Sequence, residues 1–175
     1  TPEVQCDNLW DEYTMACRGL VIDADGNILA RPFKKFLNYE QHDPSEIPTS
    51  LDCEVFEKMD GSLIIFFYYE KVGEWIVASR GSFASEHAEY AKEIINDMRI
   101  DFPYHLLNTN VTYLFELITH WNRIVVKYGY DDLVLLGVII TKTGEEIPYE
   151  KIKQLYYNIF TIVKIYDIWK GSFKK

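Results

Sequence analysis

Residues 51–69 read LDCEVFEKMDGSLIIFFYY, and the five letters Lys58-Met59-Asp60-Gly61-Ser62 at their centre decide how the rest is read. Two apolar, β-branched and aromatic runs flank an Asp-Gly pair, a local signal for a hairpin turn between strands. In that setting Lys58 is a solvated turn residue. The same letters also suit a lysine nucleophile held at a strand end, with glycine letting a nucleotide come close to the backbone. By chance K-x-D-G-[ST] occurs in about one chain in a few hundred of this length, so the five letters alone leave both readings open.

Outward from this stretch the chain punctuates into strands and two helices. Residues 17–33 read as two strands around the Asp25-Gly26 turn, with Cys17-Arg18-Gly19 on the first. Residues 34–50 are polar with two prolines and read as a loop. EWIVAS (74–79) is a further strand. From Ala84 to Met98, Ala88, Ala91, Ile95 and Met98 recur at helical spacing, with Ser82 or Ser85 available as N-cap. TYLFELI, IVVKYG and LVLLGVIIT read as three strands, the last apolar enough for the interior of a sheet. Pro148 opens a helix over PYEKIKQLYYNI, and TIVKIYDIW is a final strand. The pattern is a mainly antiparallel α+β domain.

The 175 residues suffice for one domain. Three cysteines, Cys6, Cys17 and Cys53, without CxxC spacing argue against a disulfide framework and for a reducing, cytoplasmic setting. The four histidines lack zinc-ligand spacing. No apolar run is long enough to span a bilayer, so no membrane partner is expected. The opening TPEVQ lacks an initiator Met, which suggests numbering from inside a longer product or after processing. A net charge of −9 is unfavourable for holding a long polynucleotide through phosphates. Local cations must carry any such role, and Arg18, Lys34, Lys35, Lys58, Arg80, Arg123 and Lys127 fall in or beside the singled-out segments. A small positive pocket on an acidic body suits a nucleoside triphosphate.

Upstream of KMDGS stand CRG (17–19) and RPFKKFLN (31–38). Downstream stand SRGS (79–82) with SEHA after it, YLFELI (113–118), and NRIVVKY (122–128). In this order and spacing they resemble the phage-type ATP-dependent RNA ligases of the first class, relatives of DNA ligases and mRNA capping enzymes. The resemblance covers residues 16–150. It implies an adenylylation (nucleotidyltransferase) domain, encoded by a phage or virus or acting in RNA repair. ATP and Mg²⁺ are the implied cofactors and RNA ends the partners. Lys58 would attack the α-phosphate of ATP, expel pyrophosphate and hold AMP, which passes to an RNA 5′-phosphate before a 3′-hydroxyl seals the strand. An isolated lysine, with pKa ~10.4, is mostly charged at neutral pH; nearby cations favour the free amine, and Arg18, Lys35 and Arg80 are the candidates. The same cations would neutralise phosphate charge. Glu116, on an apolar strand where an unpartnered carboxylate is costly, would take the ribose hydroxyls. The backbone of Glu57 would lie against the adenine edge, and Asp60 and Gly61 complete the nucleotide-binding set. No residue here is assigned as a metal ligand.

The match has gaps. The family's Glu-Gly and Lys-x-Lys motifs are absent: no Glu-Gly dipeptide occurs, and Lys151-Ile152-Lys153 comes too early and follows a helix-opening proline. Residues 1–175 are therefore expected to be an incomplete adenylylation domain that labels itself poorly alone. Arg80 stands where relatives often carry lysine, and Leu37 where they often carry an aromatic. A capping-type guanylyltransferase and a non-catalytic nucleotide-binding domain are the alternatives.

Overall fold

The computed structural model describes residues 4, 9–43, 45, 53–97, 102–122 and 124–169. Cys6, Met98 and Arg123 fall outside them.

A five-stranded sheet organises the chain: β4 (Ser62–Tyr69), β5 (Glu74–Ser79), β6 (Val111–Ile118), β7 (Asp132–Ile140) and β8 (Thr161–Ile162), ordered β5-β4-β6-β7-β8. All pairings are antiparallel except β7 with β8. The apolar runs predicted β4, β6 and β7, and all three are interior strands, as their unbroken hydrophobicity requires. Strand alternation splits their side chains between two layers. Ile64, Phe66, Tyr113 and Phe115 pack with α2 (Glu86–Asp97) and α3 (Tyr149–Tyr156) through Ala91, Ile95, Ile152 and Tyr156. Ile65, Phe67, Leu114 and Ile139 pack on the opposite face with Ala30 of the N-terminal hairpin β1 (Val21–Ile22) and β2 (Ile28–Ala30). Lys71, on the β4–β5 turn, pins the hairpin by bridging Asp23 and Asp25 at 2.8 and 2.7 Å.

The helices follow the periodicity. α2 buries Ala88, Ala91 and Ile95, and the Ser85 hydroxyl accepts from the Ala88 amide at 3.2 Å, so Ser85 caps it. α3 follows Pro148, and Lys151 and Lys153 both point to solvent on it, as expected of a helix-opening segment.

Four expectations are corrected. First, Cys17-Arg18-Gly19 is not a strand. A short helix α1 (Glu12–Ala16), capped by Asp11, ends at Cys17, and Gly19 turns the chain at φ +80°. Second, KMDG is not a hairpin turn. β3 (Cys53–Phe56) pairs with β9 (Ile165–Trp169) in a separate two-stranded sheet, and the chain crosses from there into β4. Gly61 lies outside the left-handed region that a two-residue hairpin turn of the Asp-Gly type would need. Its reason for being glycine is contact: a Cβ there would sit 2.1 Å from the Leu117 carbonyl oxygen. The backbone that approaches closely is therefore the protein's own strand β6. Third, residues 124–129 form no strand, because the amides of Ile124, Val125 and Val126 donate to the Asp60 carboxylate instead of to a ladder. TIVKIYDIW likewise splits into β8 and β9. Between them Val163 donates to Leu135, and Lys164 accepts from the Glu57 amide at 2.8 Å. The chain thus crosses between the β3–β9 sheet and the five-stranded sheet twice, side by side, at residues 57–61 and 163–164.

Candidate active site

The register places one end of four strands together. Ser62 at the start of β4 faces Leu117 near the end of β6, Ser79 at the end of β5 faces Ile64, and Ile118 faces Asp132 at the start of β7. A cleft of about 770 Å³ opens along this end on the hairpin side of the sheet. It contains Arg18, Glu57, Lys58, Gly61, Arg80 and Glu116 of the predicted set. Sheet order fixes the sequence across it: Arg80 beyond β5, Ser62 and Leu63 on β4, Glu116 on β6 and Leu136 on β7.

Each side chain is held by a local cause. Lys58 is exposed at the crossover, between half-buried Glu57 and buried Met59. Met59 anchors the crossover by packing with Ile118, Val134 and Val163. Arg18 rides the turn after α1. A Cβ on Gly19 would lie 3.2 Å from the Pro32 ring and 3.4 Å from Arg80, so glycine lets the two arginine-bearing turns pack together. Burial, and then the Arg80 charge, holds the Arg18 guanidinium below its usual range. The Arg80 turn is tied down by serines: the Ser79 amide and hydroxyl donate to the Ser82 carbonyl at 2.8 and 3.0 Å, and Ser85 donates to the Ser79 hydroxyl at 2.8 Å. At the other flank Phe33 lies where a Gly137 Cβ would come within 2.6 Å of its ring, which seats the RPF segment on β7. Leu114 faces Gly137 while Phe115 faces Leu135, so Leu136 is the extra residue of a β-bulge and turns into the cleft.

Glu116 is the electrostatically unusual member. Burial pushes its carboxyl up to about 7, against the Gly61 amide and the Lys58 charge, which favour the ionised form. Around neutral pH it interconverts between an acceptor and a group that also donates.

Two predicted residues are not among those lining the cleft. The Lys35 ammonium donates to the Phe36 carbonyl and lies 5.6 Å from the Trp10 ring centroid. Asp60 holds the 124–126 segment through its carboxylate at 2.6, 2.7 and 3.3 Å, while its amide donates to the Tyr128 hydroxyl at 2.9 Å. The three backbone donors keep its carboxyl below the usual range, Val125 first. Asn122 adds a 2.9 Å bond to the Ser62 hydroxyl. The NRIVVKY segment therefore clamps the Lys58 crossover, and Lys127 points to solvent.

Sequence reasoning did not single out His87 or Trp121. His87 lines the cleft beside Arg80 and Gly81, and its ring lies 5.2 Å from that of Trp121. The histidine is visible in SEHA and the tryptophan just before NRIVVKY, but their meeting is tertiary. Among the described residues no three His, Cys, Asp or Glu are grouped to hold a metal ion, and no helix is long and apolar enough to cross a membrane.

Lys58 thus stands at the crossover between two sheets, with arginines on one flank of the cleft and apolar groups on the other. Residues 16–170 match the family model described as RNA ligase, and the chain belongs to that family. A protein of Thermovibrio ammonificans is 28% identical over 144 residues, spanning 79% of this chain and 37% of that protein. The RNA ligase of Rhodothermus phage RM378 is 24% identical over 166 residues, 72% of this chain and 37% of that one. An archaeal ATP-dependent RNA ligase superposes with a TM-score of 0.65 at 19% identity, over 86% of this chain and 41% of that structure. Naegleria gruberi RNA ligase with PPi gives 0.51 at 22%, over 70% and 38%. The structural likenesses establish the fold. The chain spans 37% of the length of each of these two sequence relatives.

Proposed function

We propose that these residues form part of the adenylylation domain of an ATP-dependent RNA ligase, with Lys58 as its nucleophile. The observation that carries this is the meeting of Lys58, Glu116, Arg18 and Arg80 in one cleft of a chain within the RNA ligase family. The apolar flank of Phe33, Phe56 and Leu136, beside the Glu57 backbone, suits adenine. Glu116 in the middle suits the ribose hydroxyls, since a carboxyl near its midpoint can accept from one and donate to another. The arginine flank suits the phosphates.

The free amine of Lys58 attacks the α-phosphorus. A P–N bond forms, the P–O bond to pyrophosphate breaks in line, and the amine proton leaves to solvent. Arg18 and Arg80 neutralise charge on the departing oxygens. The RNA 5′-phosphate then displaces Lys58 from AMP, and a 3′-hydroxyl displaces AMP to join the strands. Mg²⁺ would balance the triphosphate charge during the in-line displacement. The phage relative supports a phage- or virus-encoded protein.

Incubating the full-length gene product with Mg²⁺ and α-labelled ATP or GTP, beside Lys58→Ala, tests the reading. Covalent label from ATP that vanishes in the variant is expected. Label from GTP alone would favour the capping-type reaction, and no label from either would leave a non-catalytic nucleotide-binding domain.

A further inference from the structure

We infer that Trp121 and His87 form a stacking platform for the base of the RNA nucleotide that carries the 5′-phosphate. The inference rests on the ligase reading and deepens it. Trp121 is 37% exposed, which leaves part of its ring open to a ligand, and its backbone is fixed on both sides. The His120 amide donates to Asp131 at 2.9 Å and the Asn122 amide to the Thr119 hydroxyl at 2.9 Å. Asn122 is itself bonded to Ser62 of the cleft at 2.9 Å. The indole is braced by the His87 ring, 36° from parallel, and by the edge of Tyr90 at 5.6 Å. Tyr90 is held in turn by donating to Asp131 at 2.5 Å. An exposed ring on so fixed a support loses little freedom on binding.

The position selects the ligand. His87 lines the cleft on the β5–α2 side with Arg80 and Gly81, whereas Phe56 and Leu136 close the opposite flank. With adenine at the apolar flank and phosphates at the arginines, a ring pair that reaches the cleft at His87, beside Arg80, stands at the phosphate flank. A base stacked there belongs to the RNA end whose 5′-phosphate meets the AMP. Aromatic and histidine rings take splayed-out RNA bases by stacking, without sequence preference. This also offers an acidic protein, at −9, a source of RNA affinity that does not depend on phosphate contacts.

The test measures binding of a 5′-monophosphorylated RNA, fluorescent at its 3′ end, to the full-length wild type, Trp121→Ala and Trp121→Phe by anisotropy. The same RNA with an abasic 5′-terminal nucleotide is measured in parallel. Loss of one stacked base predicts weaker binding by about 5- to 100-fold in Trp121→Ala, with Trp121→Phe retaining most of the affinity. Removing the terminal base should weaken wild type similarly and change Trp121→Ala little. Equal binding by wild type and Trp121→Ala, or equal binding of normal and abasic RNA by wild type, overturns the platform. Should Trp121→Ala fail to fold, the abasic comparison on wild type and Trp121→Phe decides. Labelling of wild type from ATP separates the two failures: label without a Trp121 or base effect sinks the platform alone, while absence of label sinks the ligase reading and the platform with it.

Discussion

Replacing Glu116 with glutamine keeps its shape and removes its titration, which makes it the sharpest probe of the cleft's interior. Burial raises this carboxyl to about 7 from an ordinary value of 4.5. At 1.36 kcal/mol per pH unit, ionising it in the folded protein costs about 3 kcal/mol more than in the unfolded chain. The sign follows from proton counts. Between the two values the folded state still holds the proton that the unfolded chain has released, so stability falls as pH rises from 4.5 through about 7, then levels off. Glu116→Gln has no such slope. Urea unfolding of both proteins at several pH values between about 5 and about 8 isolates the effect, because every other titrating group is common to both. The stability difference should shift in favour of the glutamine protein by about 2–3 kcal/mol across that range. Parallel pH profiles would show that the carboxyl is solvated, and would remove the argument for its placement against ribose.

Three other outcomes are expected. Gly61→Ala places a methyl 2.1 Å from the Leu117 carbonyl oxygen; thermal melting should show a loss of about 3 kcal/mol or more, and wild-type stability would refute the close approach of the crossover to β6. Asp60→Ala frees the amides of Ile124, Val125 and Val126, so hydrogen exchange should accelerate across 124–126 while the β6 core stays protected; unchanged protection would show that another group holds the segment. The 175-residue chain alone, lacking the Glu-Gly and Lys-x-Lys motifs, should take label from ATP far more weakly than a longer product containing them. Equal labelling would show that those motifs are dispensable here.

The sheet interior and both long helices were legible because their signal is periodic and local. SLIIFFYY and LVLLGVIIT can be little else than interior strands, and the Ala88–Ala91–Ile95 spacing needs only one helix face. The site's frame was not legible, because it is made by pairings far apart in sequence. β3 pairs with β9 across more than a hundred residues, so an Asp-Gly signal that reads locally as a hairpin became a crossover between sheets. IVVKYG carries β-favouring residues, yet a single carboxylate from Asp60 claimed its amides. The motif resemblance, which carries long-range information that local pattern lacks, located Arg18, Lys58, Arg80 and Glu116 in one cleft. It could not show that Lys35 turns to Trp10, or that His87 and Trp121 meet.

The central claim is that Lys58 is the atom-by-atom start of the reaction, and peptide mapping tests it most directly. The full-length product is incubated with ATP and Mg²⁺, digested, and analysed by mass spectrometry before and after addition of 5′-phosphorylated RNA. The account predicts AMP on the peptide containing Lys58, lost when the RNA is added and recovered on its 5′-phosphate. AMP on another residue, or a folded protein that acquires none, would contradict it.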